Sequence, residues 1–193
     1  DYSWIHTHVE DVTKWGGVQV TLSFWAKYVT AKPDGGFNCR LVQHFGSGGS
    51  PSNAVTTYWG GANTSESFTP TTSWARYQWT LTLPSISGKT MGTTADSSSL
   101  QFVIGQGNNA GGTDWELNIT NVKLEYGPKA SKFEAPDVGD ELRKCQRYYE
   151  EISQHENGGM PVARGQDYDN RKGLGYINFK VTKRKAPTAP DVS

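Results

Sequence analysis

The sequence predicts an all-β protein, a jelly-roll β-sandwich followed by one short α-helix and a small partial β unit. Two observations support this prediction. Apolar and polar residues alternate over several segments, most strictly over residues 74–83, and such alternation is typical of strands with one buried face. Turn-forming residues separate these segments, and no segment of helical period lies between them, which argues against a parallel α/β sheet.

The candidate strands each assign side chains to a buried or an exposed face. Over residues 74–83, Tyr77 and Trp79 fall on the buried face, whereas Arg76 and Gln78 fall on the exposed one. In the last strand the apolar period breaks before Val122, which predicts a β-bulge near Thr120 and Asn121. The predicted strands cover residues 18–27, 37–45, 54–59, 66–69, 74–83, 100–104 and 117–126.

After Pro128 the sequence pattern changes from that of strands to that of a helix. A helix is predicted over residues 140–152, starting near Asp137 and ending near Asn157, and a further strand over residues 173–182. We therefore expect three parts: a sandwich at 1–135, a helical segment at 136–157, and a truncated β unit at 158–193. The apolar stripe of the helix packs either onto the sandwich, which we favour, or against copies of itself about a threefold axis. The stripe consists of Leu142, Cys145, Tyr149 and Ile152.

Composition limits the classes of function. The 193 residues include 19 basic and 19 acidic ones, and this balance disfavours nucleic-acid binding. No apolar run approaches the roughly 20 residues that a membrane-spanning helix needs, so no membrane insertion is expected. Cys39 and Cys145 are predicted to be buried free thiols rather than a disulfide framework. The abrupt ends suggest a piece of a longer protein.

No motif predicts catalysis. The GSGGSP segment at 46–51 lacks the spacing of a phosphate-binding loop or a nucleophile elbow. The acidic residues of the sandwich region form no recognisable pair for glycoside hydrolysis. His6 and His8 share a face if they lie on a strand, but a third metal ligand is not evident. We therefore predict no enzymatic activity, no metal and no cofactor.

Several segments together resemble a known family, that of tailed-bacteriophage tail-fibre or receptor-binding structural proteins. Members of this family carry a jelly-roll domain like that of a carbohydrate-binding module. The more specific parts are LPSISGKTMG and CQRYYE, because the strands alone fit many sandwiches. The matching pieces are VTLSFWAK at 20–27, QHFGSGGSP at 43–51, WARYQWTLTLPSISGKTMGT at 74–93, ITNVKLEYG at 119–127, KFEAP at 132–136, ELRKCQRYYE at 141–150 and FKVTKRKAPT at 179–188.

The resemblance implies a protein of the virion tail, made in the cytoplasm of the bacterial host. Its implied partners are a host cell-surface glycan and other tail proteins, and its implied state is a homotrimer. Carbohydrate-binding jelly rolls often hold a structural calcium ion through acidic residues near the last strand. This chain has Thr120 and Asn121 there, whereas hard cations prefer carboxylate oxygens, so no metal is predicted.

The exposed faces of the strands supply candidate binding residues. A sugar site needs a flat apolar ring for stacking and planar polar groups that bind hydroxyls. The candidates on strands are Trp25, Arg40, His44, Arg76, Gln78 and Gln101. Trp59 and Trp115 lie in or beside loops and complete the carbohydrate-binding set, with Tyr58 as a further stacking candidate.

Three hypotheses for function remain open. The first is a non-enzymatic tail component that binds a host surface glycan through these residues. The second is a purely structural virion connector or capsid-surface domain without a ligand, in which the aromatic side chains pack under loops or between subunits. The third is a carbohydrate-binding module of a glycan-degrading enzyme, although the helix and the unit after it argue against this hypothesis.

Overall fold

A computed structural model describes residues 3–29, 37–59, 69–94, 98–106, 116–150, 164–169, 172–176 and 178–185 of the 193-residue chain. The chain forms two compact units, Asp1–Phe133 and Glu134–Ser193. Trp115 and the predicted end of the helix at Asn157 lie outside the described residues, as does most of the predicted strand at 66–69.

The first unit is built from two antiparallel sheets. The four-stranded sheet has the order β1-β6-β3-β4, and the three-stranded sheet has the order β5-β2-β7. The strands are β1 (Ser3–Glu10), β2 (Gln19–Tyr28), β3 (Asn38–Phe45), β4 (Val55–Tyr58), β5 (Ala75–Thr82), β6 (Ser98–Gln106) and β7 (Leu117–Tyr126).

The path of the chain confirms the predicted jelly-roll β-sandwich. From β4 onward, successive strands alternate between the two sheets, as do β1, β2 and β3. All strand pairs within the sheets are antiparallel. Such crossing connections bring the inner faces of the two sheets together over one apolar core.

The core lies between the sheets. Phe24, Leu41 and Ile104 are fully buried, each from a different strand. Tyr77 and Trp79 pack against this cluster, which confirms that they belong to the buried face of β5. Trp74, one residue before β5, is 45% exposed and is not part of the core.

The predicted β-bulge is present in β7. The pairing with β2 shifts between Ser23, which faces Lys123, and Trp25, which faces Thr120. Asn121 adopts a left-handed backbone with φ of 53°, a conformation that asparagine tolerates better than most residues. The bulge therefore follows from the break in the apolar period together with a residue suited to it.

Two of the segments that carry the family resemblance are joined by backbone hydrogen bonds. Gly92 N–H donates to the carbonyl of Phe45 at 2.7 Å, and Thr94 N–H donates to the carbonyl of Ser47 at 2.9 Å. A Cβ atom at Gly92 would lie 2.4 Å from the backbone of Ser47, so a larger residue does not fit there. The LPSISGKTMG loop is thus a structural partner of the GSGGSP loop.

The second unit contains α1 (Val138–Gln146) and a hairpin of β8 (Arg164–Asp169) and β9 (Lys172–Tyr176). Asp137 caps α1 by accepting hydrogen bonds from the amides of Gly139 and Asp140, as the sequence predicts. The predicted helix is wrong in extent, because α1 begins at Val138 and ends at Gln146. The predicted strand at 173–182 is shorter than expected, and β8 was not predicted.

A second pair of resemblance segments meets beyond the end of α1. Lys183 Nζ lies 2.6 Å from Glu150 Oε2, and the two side chains are only 11% and 3% exposed. Lys183 Nζ also donates to the carbonyl of Gln146, and the Arg184 amide donates to the carbonyl of Arg147. These contacts tie FKVTKRKAPT to ELRKCQRYYE.

The described members of the apolar stripe, Leu142, Cys145 and Tyr149, are exposed, whereas Ile152 lies outside the described residues. Leu142 and Tyr149 are 55% and 73% exposed, and Cys145 is exposed as well, so the prediction that Cys145 is a buried thiol is wrong. Cys39 is buried, as predicted. Among the described helices, none is long and apolar enough to cross a membrane.

Candidate functional site

The outward face of the four-stranded sheet gathers aromatic, imidazole, amide and guanidinium groups. His6 of β1 and Arg40 of β3 both pair with Val103 of β6, which lies between them. Tyr58 of β4 pairs with Arg40 on its other side. Two residues further along β1, His8 pairs with Gln101 of β6. Directly paired residues lie on the same face of a sheet. We call this surface, made by Trp4, His6, His8, Arg40, His44, Tyr58 and Gln101, the β1-β6-β3-β4 face.

Arg40 lies between two aromatic rings on this face. Its guanidinium carbon is 4.5 Å from the centroid of the Trp4 ring and 5.9 Å from that of Tyr58. Both distances fall within the range of cation–π attraction. Gly105 pairs with Trp4 and has no side chain, so the indole can extend across β6 toward Arg40. The Arg40 side chain is therefore held between the rings of Trp4 and Tyr58.

Arg40 has unused hydrogen-bonding capacity. Its Nε is buried and has no hydrogen-bond partner among the described residues. None of the ion pairs among the described residues involves its guanidinium. A buried donor without an acceptor costs on the order of 1–3 kcal/mol. Such a group is an exception that calls for a functional explanation.

A chain of hydrogen bonds joins the remaining polar groups of the face. His44 Nε2 lies 2.9 Å from Gln101 Oε1, and Gln101 Nε2 lies 3.1 Å from His8 Nε2. His8 Nδ1 then lies 2.9 Å from Ser99 Oγ. One set of protons satisfies the chain: His44 donates to Gln101, Gln101 donates to His8, and His8 donates to Ser99. The amide of Gln101 thus fixes the positions of two imidazoles.

The predicted residues Arg76 and Gln78 lie on the other sheet, so the eight candidates do not form one surface. Arg76 faces Trp25 across the β5–β2 pair, on the outward side of the three-stranded sheet. Its guanidinium donates to the carbonyl of Ser131 and to Ser23 Oγ. Arg76 is thus committed to the segment that follows β7, and we do not retain it as a binding residue.

The segment after β7 lies over part of this second face. Glu125 accepts hydrogen bonds from the amide and the hydroxyl of Ser131, at 2.6 and 2.7 Å. Lys123 forms an ion pair with Glu125 at 3.0 Å. Burial alone would raise the pKa of Glu125, but the hydrogen bonds from Ser131 and Lys123 outweigh it and lower this pKa. The polar groups here hold the chain to the sheet.

The three predicted tryptophans have different surroundings. Trp25 is 37% exposed, on the outward side of the three-stranded sheet. Trp59 packs against the core, with its ring 5.5 Å from that of Trp79 and 6.0 Å from that of Phe24. Trp59 therefore serves the core rather than a surface site, because it directly follows Tyr58 of the outward face and so lies on the inward side. Trp115 lies outside the described residues.

Sequence reasoning missed Trp4 and His8 as binding candidates. Both lie on β1, which was not predicted as a strand of the sandwich. The signal that could have found them is the spacing of Trp4, His6 and His8, which puts all three on one face of a strand. Tyr58, considered as a stacking candidate, does lie on the face with Arg40.

An apolar cavity of about 220 Å³ opens between the sheets where β1 and β7 form neighbouring edges. Val122 of the bulge and Ile5 of β1 contribute to it. It offers few polar groups for sugar hydroxyls, so it does not suit a glycan. Its lining consists of Ile5, His6, Thr7, Phe102, Ile104, Ile119 and Val122.

Within the described residues, no group of three or more His, Cys, Asp or Glu side chains could hold a metal ion. His6 and His8 do share a face, with ring centroids 5.4 Å apart. His8 and His44 are 5.8 Å apart by the same measure. The nitrogens of His8 contact Ser99 and Gln101. The histidines thus belong to a hydrogen-bonded polar surface.

Comparisons with known proteins yield a likeness to a solved structure. No protein-family model matches the chain, and no curated protein matches it. A solved structure of a carbohydrate-binding module, described as "CBM4 structure and function", is similar over 64% of this chain and 73% of its own. The sequences are 18% identical and the TM-score is 0.38.

Proposed function

We propose that the β1-β6-β3-β4 face binds a glycan without catalysing a reaction. The observation that carries this proposal is the clustering, on one sheet face, of two aromatic rings, a guanidinium and an amide–imidazole chain. Aromatic rings stack on the apolar faces of sugars, and planar polar groups bind pairs of hydroxyls. A sheet places these groups on a rigid surface.

The opposite sheet offers a weaker alternative. Trp25 and Trp74 are exposed there, and Lys27 Nζ lies 5.5 Å from the centroid of the Trp74 ring. However, Arg76 and Lys123 hold the segment around Ser131 on that side. Fewer planar polar groups are therefore available to a ligand.

A glycan array of bacterial surface polysaccharides tests the proposal. The protein should bind at least one polysaccharide, and Tyr58→Ala should weaken that binding. Trp74→Ala is the matched control, because it removes an exposed ring from the other sheet. Absence of binding to every glycan would contradict the proposal, as would equal losses in the two variants.

The family resemblance supports a place for this activity in the tail of a bacteriophage, where the protein would attach the virion to its host. Single glycan sites are commonly weak, and several copies bound together gain avidity. We propose a homotrimer, which the family resemblance implies. Light scattering should then give a mass three times the 21.2 kDa of one chain, and a monomer would contradict it.

One observation favours a structural role as a second candidate. Val138, Leu142 and Tyr149 are exposed apolar side chains on or just beyond α1. Exposed apolar side chains grouped on one short helix are characteristic of protein contacts. A connector without a ligand would retain these contacts and fail the glycan array.

A further inference from the structure

We propose that the ligand of the β1-β6-β3-β4 face is an acidic glycan, and that Arg40 binds a sugar carboxylate. This inference rests on the proposed function and names its substrate class. It starts from the environment of Arg40, for which the described residues provide no ion pair.

The charges of the face are unbalanced near Arg40. Among the described outward residues of the four strands, Glu10 is the acidic one, and it lies at the far end of β1. Glu10 pairs with Ser99, four residues along β6 from Val103, the partner of Arg40. At about 3.3 Å per residue, that separation is about 13 Å. Within the described parts of the four strands, the guanidinium therefore has no neighbouring carboxylate.

The geometry of Arg40 suits a carboxylate better than a hydroxyl. A guanidinium is planar and presents parallel N–H donors that match the two oxygens of a carboxylate. Hydrogen bonds between charged partners are about twice as strong as neutral ones. Trp4 and Tyr58 already hold the guanidinium, so less side-chain freedom is lost when a ligand binds.

The neighbouring groups extend the site beyond one ion pair. His44, held through its Nε2 by Gln101, can offer its Nδ1 to a hydroxyl of an adjoining sugar. It adds no negative charge. A saccharide with carboxylates would thus meet one fixed cation and a polar surface.

The test compares acidic polysaccharides with their own carboxyl-reduced forms. Polygalacturonate, alginate, hyaluronan and polysialic acid, each in both forms, are titrated against the full chain by calorimetry, with sulfated dextran and neutral glucans alongside. We expect at least tenfold tighter binding of one acidic polymer than of its reduced form. Arg40→Gln should abolish this preference, and Arg40→Lys should retain part of it.

Lys27→Gln is the matched control, because Lys27 is also a cation over a tryptophan ring but lies on the other sheet. It should leave binding unchanged. Equal binding of a polymer and its reduced form would overturn the inference and leave the proposed function standing. Preference for sulfated dextran, or an equal loss in Lys27→Gln, would also overturn it. Absence of binding to every polymer would overturn the inference, and the array of bacterial surface polysaccharides tests the proposed function separately.

Discussion

The guanidinium carbon of Arg40 lies 4.5 Å from the centroid of the Trp4 ring, although the two residues are on strands separated by β6. The contact passes over Gly105, which pairs with both Trp4 and Asn38. The absence of a side chain at this position lets the indole cover the sheet. A cation is thus fixed on the outward side of the four-stranded sheet.

Breaking the amide–imidazole chain should weaken binding more than it weakens the fold. Gln101→Leu removes the hydrogen bonds to His8 and His44 while keeping the size of the side chain. Each hydrogen bond contributes about 1 kcal/mol to stability, so a modest fall in melting temperature is expected. Glycan affinity, measured by calorimetry, should fall several-fold. Gln78→Leu on the other sheet should leave affinity unchanged, and a similar loss there would contradict the assignment.

The fit of Gly92 against Ser47 predicts a steric effect on stability. Gly92→Ala should destabilise the sandwich by about 1–3 kcal/mol, because its Cβ would meet the Ser47 backbone. Gly88 lies in the same loop with φ of +74° and has no atom within 4 Å of its Cβ position. Gly88→Ala should cost about 1 kcal/mol, the strain of a left-handed residue. Chemical denaturation of both variants measures the difference, and the reverse order would contradict the loop packing.

The two cysteines should differ in reactivity. Cys39 is fully buried, and this burial raises the pKa of its thiol well above the usual range. Only the thiolate reacts rapidly, so Cys39 should stay unmodified in the folded protein. Cys145 is exposed and should react. A thiol titration with Ellman's reagent should count one group before unfolding and two after it. Loss of the fast group in Cys145→Ser is the control, and two fast thiols in the native protein would contradict the core assignment.

The lowered pKa of Glu125 predicts that its contribution to stability is lost at low pH. A carboxylate with a lowered pKa stabilises the folded state above its unfolded pKa of about 4.3. That stabilisation is lost as the pH falls through the lowered pKa of the folded state. NMR should show the Ser131 amide shifting as Glu125 is protonated. In Glu125→Gln this pH-dependent shift should disappear, and its persistence would show that another group is responsible.

The sequence predicts the sandwich well where one face of a strand is buried in the core. The alternation in β2 and β5 separates buried Leu22 and Phe24 from Arg76, and the bulge at Asn121 follows from a break in the period. β1 was not predicted as part of the sandwich, because it is an edge strand and Ile5 is 61% exposed. An edge strand that lies beside an open cavity has a weak alternation of burial.

The candidate site is less predictable, because alternation assigns a side chain to a face but not to a sheet. Arg40, His44 and Gln101 were expected on an outward face, and they lie on the outward face of one sheet, where His44 contacts Gln101. Arg76 and Gln78 show the same pattern but belong to the other sheet, since sheet membership depends on long-range pairing. The hydrogen bond that Arg76 donates to the carbonyl of Ser131 joins residues 55 positions apart, so no local sequence pattern reveals it.

The central claim is that the glycan binds on the face that carries Trp4 rather than on the face that carries Trp25. The most direct measurement is the affinity of Trp4→Ala and Trp25→Ala for the polysaccharide that the unaltered protein binds best. Trp4→Ala should weaken binding at least tenfold, which corresponds to about 1.4 kcal/mol, and Trp25→Ala should leave it unchanged. A loss of binding in Trp25→Ala with full binding in Trp4→Ala would contradict the account.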